Sequence, residues 1–186
     1  MEPVIDDPGA VTVLVQHVPG ETPDQASARW RNEQWPEHVR TVTVFEAVDG
    51  DGVVLYAQLD TDTPPAELSG WQHYRRHRST RLTSEPSKFF ALNTFDSPDD
   101  ETTREWLDAV QAFERNFEVP EGIIESHAHT KVDGTGFLNY AGWTDQRHHD
   151  EFTAKGVMQR AFAEVPPPGP PGPINGGFRI HATFAH

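Results

Sequence analysis

The sequence predicts an α+β fold in which two ferredoxin-like units, joined in one chain, form an intrachain two-half barrel. Three observations predict it. First, "VDGDGVVLYAQL" at 48–59 returns without a gap as "VDGTGFLNYAGW" at 132–143, keeping Val, Asp, both Gly, Tyr and Ala, and self-similarity at a fixed offset marks repeated supersecondary units. Second, each copy opens on Asp-Gly, a hairpin-turn signal, and follows an alternating segment, "TVTVFEAV" at 41–48 or "ESHAHTKV" at 125–132. Third, each half reads strand, helix, two strands, a helical or irregular connection and a last strand, the split β-α-β pattern. One such sheet leaves a face bare, and a second unit covers it.

In order, "VTVLVQHV" at 11–18 is the first strand, and a helix follows that reaches Trp30. The hairpin of 41–59 comes next, and "YRRHRS" at 74–79 closes the half. The boundary falls in "TSEPS" at 83–87, dividing the chain into 1–84 and 85–186. In the second half "FFALNTFD" at 89–96 is a strand, and the helix after it carries Trp106, Val110, Phe113 and Phe117 on one face. After the hairpin of 125–143, "TDQRHHDEFTAKGVMQRAFAEV" reads as one helix. The prolines of "PPPGPPGPINGG" donate no hydrogen bond, so that segment reads as a polyproline-like surface loop, a spacer or a lid. "FRIHAT" at 178–183 closes the half and matches 74–79, setting Arg179 against Arg75 and His181 against His77.

Composition narrows the function. The 186 residues, 35% hydrophobic, suffice for a core. No apolar run approaches the roughly 20 residues of a membrane span, and "MEPVIDDPGA" lacks signal-peptide features, so the expected location is the cytoplasm. Without cysteine there is no disulfide, thiolate nucleophile or thiolate-held metal. A net charge of -14 argues against nucleic acid. The basic cluster "HYRRHRSTRL" at 73–82 suits a solvated edge as well as an anion site.

On a strand, alternate residues share a face, so Asn139, Ala141 and Trp143 point together. A small residue between an amide and an indole leaves room for a flat molecule; Trp143 as plain core is the structural alternative. His127 and His129 share a face of their strand, Arg179, His181 and Thr183 share another, and Asn93 lies among apolar neighbours. If these polar faces converge, one pocket holds two amides, an indole, a guanidinium and three imidazoles, an excess that is costly unless paired or used.

With "GFLNYAGW" as its most specific segment and "FRIHATF" as its closing strand, the chain resembles the antibiotic biosynthesis monooxygenase family of dimeric α/β barrel proteins. More closely, it looks like the tandem-domain members found beside aromatic polyketide pathways. The resemblance runs from Val11 to Phe184. It implies cofactor-independent oxidation of a polycyclic phenol or anthrone by dioxygen, with no flavin, haem or metal. It implies Asn139 and Trp143 in the pocket, with Arg179 near. A deprotonated electron-rich aromatic can itself reduce dioxygen, so the protein need only bind it, take a proton and stabilise charge. In this reading Trp143 stacks, Asn139 holds an oxygen, His127 or His129 transfers the proton, and Asn93, Arg179 and His181 bind substrate. Leu55 and Leu59 replace Asn139 and Trp143 in the first copy, which gives that half a supporting role.

Four rivals remain at this level. A polyketide cyclase or isomerase would use the same barrel without dioxygen, and a binding protein would use it without turnover. Haem binding would draw on His148 or His149. A metal would need His127, His129 and His181 together. Further pairing into a homo-oligomer is open.

Overall fold

The structure, a computed structural model, describes residues 9–32, 35–50, 52–116 and 118–185. Its elements are β1 (Thr12–Val18), α1 (Pro23–Asn32), β2 (Val39–Ala47), β3 (Val53–Leu59), β4 (Gln72–Arg81), β5 (Phe89–Asp96), α2 (Asp100–Glu114), β6 (Ile123–Lys131), β7 (Gly136–Trp143), α3 (Gln146–Ala154), α4 (Val157–Glu164) and β8 (Pro171–Ala185). A single 3-10 turn, Ala66–Leu68, lies between β3 and β4. Phe117, expected on the inner face of α2, lies outside the described residues.

The strands form a closed antiparallel barrel in the order β1-β3-β2-β8-β5-β7-β6-β4, with β4 returning to β1. Strands up to Arg81 make one arc, β4-β1-β3-β2, and strands from Phe89 onward make the other, β8-β5-β7-β6. Two seams join the arcs. Thr41 to Ala47 of β2 pair with β8, and Tyr74 to Arg81 of β4 pair with β6. Pairing edge strands satisfies backbone groups that an open sheet would leave to solvent.

Alternation along each strand sorts the side chains into two layers. Inside the barrel, Val15, Phe45, Tyr56, Phe90, Tyr140 and Phe178, from six different strands, belong to one buried cluster. Outside, Leu55 and Leu59 lie against Trp30 of α1. Phe89, Ala91, Ala141 and Trp143 lie against Phe152 of α3, and Phe95 and Phe137 against Trp106 of α2 and Phe162 of α4. Among the described residues no helix is long and apolar enough to cross a membrane.

Two segments depart from the sequence expectation. The stretch 144–165 is two helices, because Gly156 takes φ +65° between α3 and α4, a left-handed conformation that suits glycine and ends α3. The proline-rich segment is strand from Pro171 onward, running beside β5. Thr94 Oγ1 donates to the Ile174 carbonyl at 3.0 Å and accepts from Ile174 N at 3.1 Å, where the β5–β8 register shifts. A spacer or lid is thus confined to the residues before Pro171.

Candidate functional site

The outer surface of the second arc is ruled into rows by its register. Asn139 pairs with Asn93, and Asn93 with Asn175, so three amides line up across β7, β5 and β8. Asn175 is tied down, donating to the Gly172 carbonyl at 2.7 Å. Asn93 and Asn139 are half-buried, and among the described residues neither amide side chain has a hydrogen-bond partner. Beside them runs a row of small residues, Ala141, Ala91 and Gly177. Beyond that stand Trp143 and Phe89, and on the other side Phe137 and Phe95. Two unpaired amides between aromatic clusters form a surface suited to a flat, oxygen-bearing molecule.

Trp143 is 2% exposed, and its buried Nε1 has no partner among the described residues. Its ring meets Phe152 at 5.3 Å and the His149 ring at 5.5 Å. His149 also meets Phe89 at 5.0 Å, so this imidazole shares the face of Asn139 and Trp143. The sequence reading noticed His149 only as a haem candidate. Its i, i+3 spacing from Phe152 on a helix capped by Asp145, whose carboxylate accepts from His148 N at 3.0 Å, is the signal that could have placed it. Arg179 is exposed on the same outer face and donates to Gln146 Oε1 at 3.2 Å, at the start of α3.

The histidines expected to transfer a proton lie elsewhere. His127 pairs with Tyr140 and His129 with Leu138, and cross-strand partners share a face, so both enter the barrel, where each is 0% exposed. His129 Nε2 and Tyr56 Oη are 3.1 Å apart. Burial, then the nearby charges of His127 and Arg76, push its pKa down to about 3. His127 contacts Ser79 Oγ at 2.8 Å and Glu125 Oε2 at 3.4 Å. Burial raises the Glu125 pKa, but hydrogen bonds from His127 and Ser87 and the charges of His127 and Arg81 outweigh it and hold the carboxyl below its usual range.

The convergence expected from sequence is therefore split by the sheet: Asn93, Asn139, Trp143 and Arg179 lie outside, His127 and His129 inside. His181 joins neither group. It sits at a bulge where Val44 and Phe45 pair with Ala182 and Ile180, and its Nε2 is 3.3 Å from Asp24 Oδ1 of α1. The three-histidine ligand set weighed above is not assembled, and among the described residues no group of three His, Cys, Asp or Glu could hold a metal ion.

A cavity of about 620 Å³ opens in the other arc, over residues that the sequence reading passed by. Trp30, Trp35, Trp71 and Leu68 wall it, Gln16 lies within it, and Arg29, Glu37 and Glu67 rim it. Gln16 pairs with Leu55 across β1 and β3. A second space of similar size lies between α2 and α4, lined by Phe113 and Val165. Neither reaches Asn139 or Trp143.

No protein-family profile and no curated protein matches the chain. Solved structures do. An anthrone oxidase-like protein superposes with a TM-score of 0.67 at 14% identity, over 95% of this chain and 93% of its own. A ferredoxin-fold protein from Listeria monocytogenes, related to antibiotic biosynthesis monooxygenases, gives 0.61 at 12%, over 94% and 96%. A haem-degrading enzyme from the same species gives 0.55 at 11%, over 90% and 98%. At these identities the likeness is one of fold, an antibiotic biosynthesis monooxygenase-like ferredoxin fold.

Proposed function

We propose that the protein oxidises a polycyclic aromatic of anthrone or phenol type, such as a polyketide intermediate, with dioxygen and no cofactor, on the outer surface of the β5–β7–β8 arc beneath α3. The observation that carries this reading is the pair Asn93 and Asn139, aligned across two strands, whose side-chain amides have no hydrogen-bond partner among the described residues and are flanked by aromatic rings. The structural likeness to an anthrone oxidase-like protein supports it.

The two amides hold a substrate oxygen and stabilise the enolate formed when a ring C–H or O–H is deprotonated. His149, at the edge of Phe89 and Trp143, takes that proton. The carbanion passes electrons to dioxygen, and a carbon-bound peroxide forms. Loss of water then leaves the carbonyl, so one methylene and one dioxygen become one ketone and one water. Arg179 balances negative charge at the margin. Trp143 is covered, and α3, which has no fully buried residue of its own, is the element whose movement would open the surface. The two hairpins, 84 residues apart in sequence, support a duplication in which one half kept the amide and indole and the other took Leu55 and Leu59.

The test is dioxygen uptake by metal-free protein supplied with an anthrone, comparing wild type with Asn139→Ala, Trp143→Phe and His149→Gln. Wild type should consume dioxygen, and Asn139→Ala should lower turnover about 100-fold, the usual effect of losing one preorganised donor to a developing oxyanion. Binding of the aromatic without uptake would overturn oxygenation and leave ring closure or simple binding.

A further inference from the structure

The cavity in the first arc has a chemistry of its own. Trp30, on α1, is its floor at 3% exposure, and its buried Nε1 has no partner among the described residues. Trp35 stands at 79° to it and Trp71 at 90°, each with ring centroids 5.8 Å away. The three indoles thus make a floor and two walls rather than a stack. Trp35 is fixed by donation from its Nε1 to the Trp30 carbonyl at 3.1 Å. Trp71 is held by the turn in which its N–H donates to the Leu68 carbonyl at 3.0 Å.

The charge at the mouth is one-sided. Arg29 is already neutralised, its guanidinium lying 3.2 Å from both oxygens of Glu21. Among the described residues Glu37, with a side chain 90% exposed, pairs only with His38 at 3.8 Å, and the exposed Glu67 has no ion pair. Both residues line the cavity. Anions are repelled by this rim, and a cation gains both from it and from the indole faces, the best of the aromatic partners for a positive charge.

We propose that this cavity is a second ligand site, distinct from the surface under α3, and that it takes an organic ammonium cation. Its methyl groups pack against the three indoles while Glu37 and Glu67 face its charge. Gln16, whose side-chain amide has no partner among the described residues, receives a hydroxyl or carbonyl farther along the ligand.

The experiment is a titration of the full chain with choline and, separately, with its uncharged isostere 3,3-dimethylbutan-1-ol, following the indole N–H signals by NMR. Choline should shift the Trp30, Trp35 and Trp71 signals saturably and leave those of Trp106 and Trp143 in place. The isostere should bind about tenfold more weakly, the scale of a cation–π contribution. Glu67→Gln should weaken choline several-fold with the fold unchanged, and Trp71→Ala should weaken it further. Equal affinity for the two probes, or no saturable shift with choline, overturns the proposal. Preferential binding of a neutral planar aromatic in the same cavity overturns it too. Because the reporter indoles differ from Trp143, failure here is separable from failure of the oxygenation reading.

Discussion

Acidification should unfold this barrel through His129. The imidazole is 0% exposed and its pKa lies at about 3, against 6.5 in an unfolded chain. A lowered histidine pKa means the unfolded state binds a proton that the folded state refuses. The stabilisation is complete above pH 6.5 and is lost as pH falls from there toward 3. Each pH unit inside that window costs about 1.4 kcal/mol, so the step from about pH 6.5 to pH 5 removes about 2 kcal/mol. That is a large share of the roughly 5–15 kcal/mol by which domains are stable. Urea unfolding of wild type and His129→Gln near pH 7 and near pH 5 measures it. The variant is less stable near neutrality, and the gap should narrow by about 2 kcal/mol at the lower pH. Parallel pH dependence in the two proteins, or an imidazole signal titrating near its ordinary pKa, would refute the reasoning. A sealed, neutral His129 also cannot serve the outer surface, so the variant should keep its wild-type pattern of aromatic binding there.

The two amides give a contrasting expectation: Asn93→Ala and Asn139→Ala should each change stability by less than about 1 kcal/mol, because neither side chain has a hydrogen bond among the described residues, as thermal denaturation would report. Gly142→Ala should destabilise by about 1–3 kcal/mol, because the added methyl meets Ser87 Oγ and approaches the Glu125 side chain within 2.8 Å; calorimetry and the acid sensitivity of the Arg81–Glu125 pair at 2.6 Å would show it.

Strands and hairpins could be read from the chain because period-two alternation and Asp-Gly turns are local signals. The faces were harder. Alternation places His127 with His129 and Asn139 with Trp143, but only the register between β6 and β7, with its irregularity between Ile123 and Glu125, decides that the two pairs lie on opposite sides of the sheet. The tryptophan box was invisible for another reason. Trp35 and Trp71 lie outside the helices and strands, where no periodicity marks them, and only the tertiary fold brings them to Trp30. The strand from Pro171 onward is hidden in the sequence because proline's missing donor normally argues against a strand, and its neighbour β5 lies far away in the chain.

The seams of the barrel set the order in which the chain can complete itself during synthesis. When β1 to β4 have emerged, β2 and β4 are both open edges, and their partners β8 and β6 belong to chain not yet made. β4 gains its neighbour when β6 appears, but β2 waits for the strand that ends at Ala185. Until then the nascent arc presents a hydrophobic inner face, with Phe45 and Tyr56 uncovered, beside an unpaired strand, the combination that promotes association with other chains. Slow translation or truncation before β8 is therefore expected to favour aggregation, because the β2 edge stays open until β8 pairs with it.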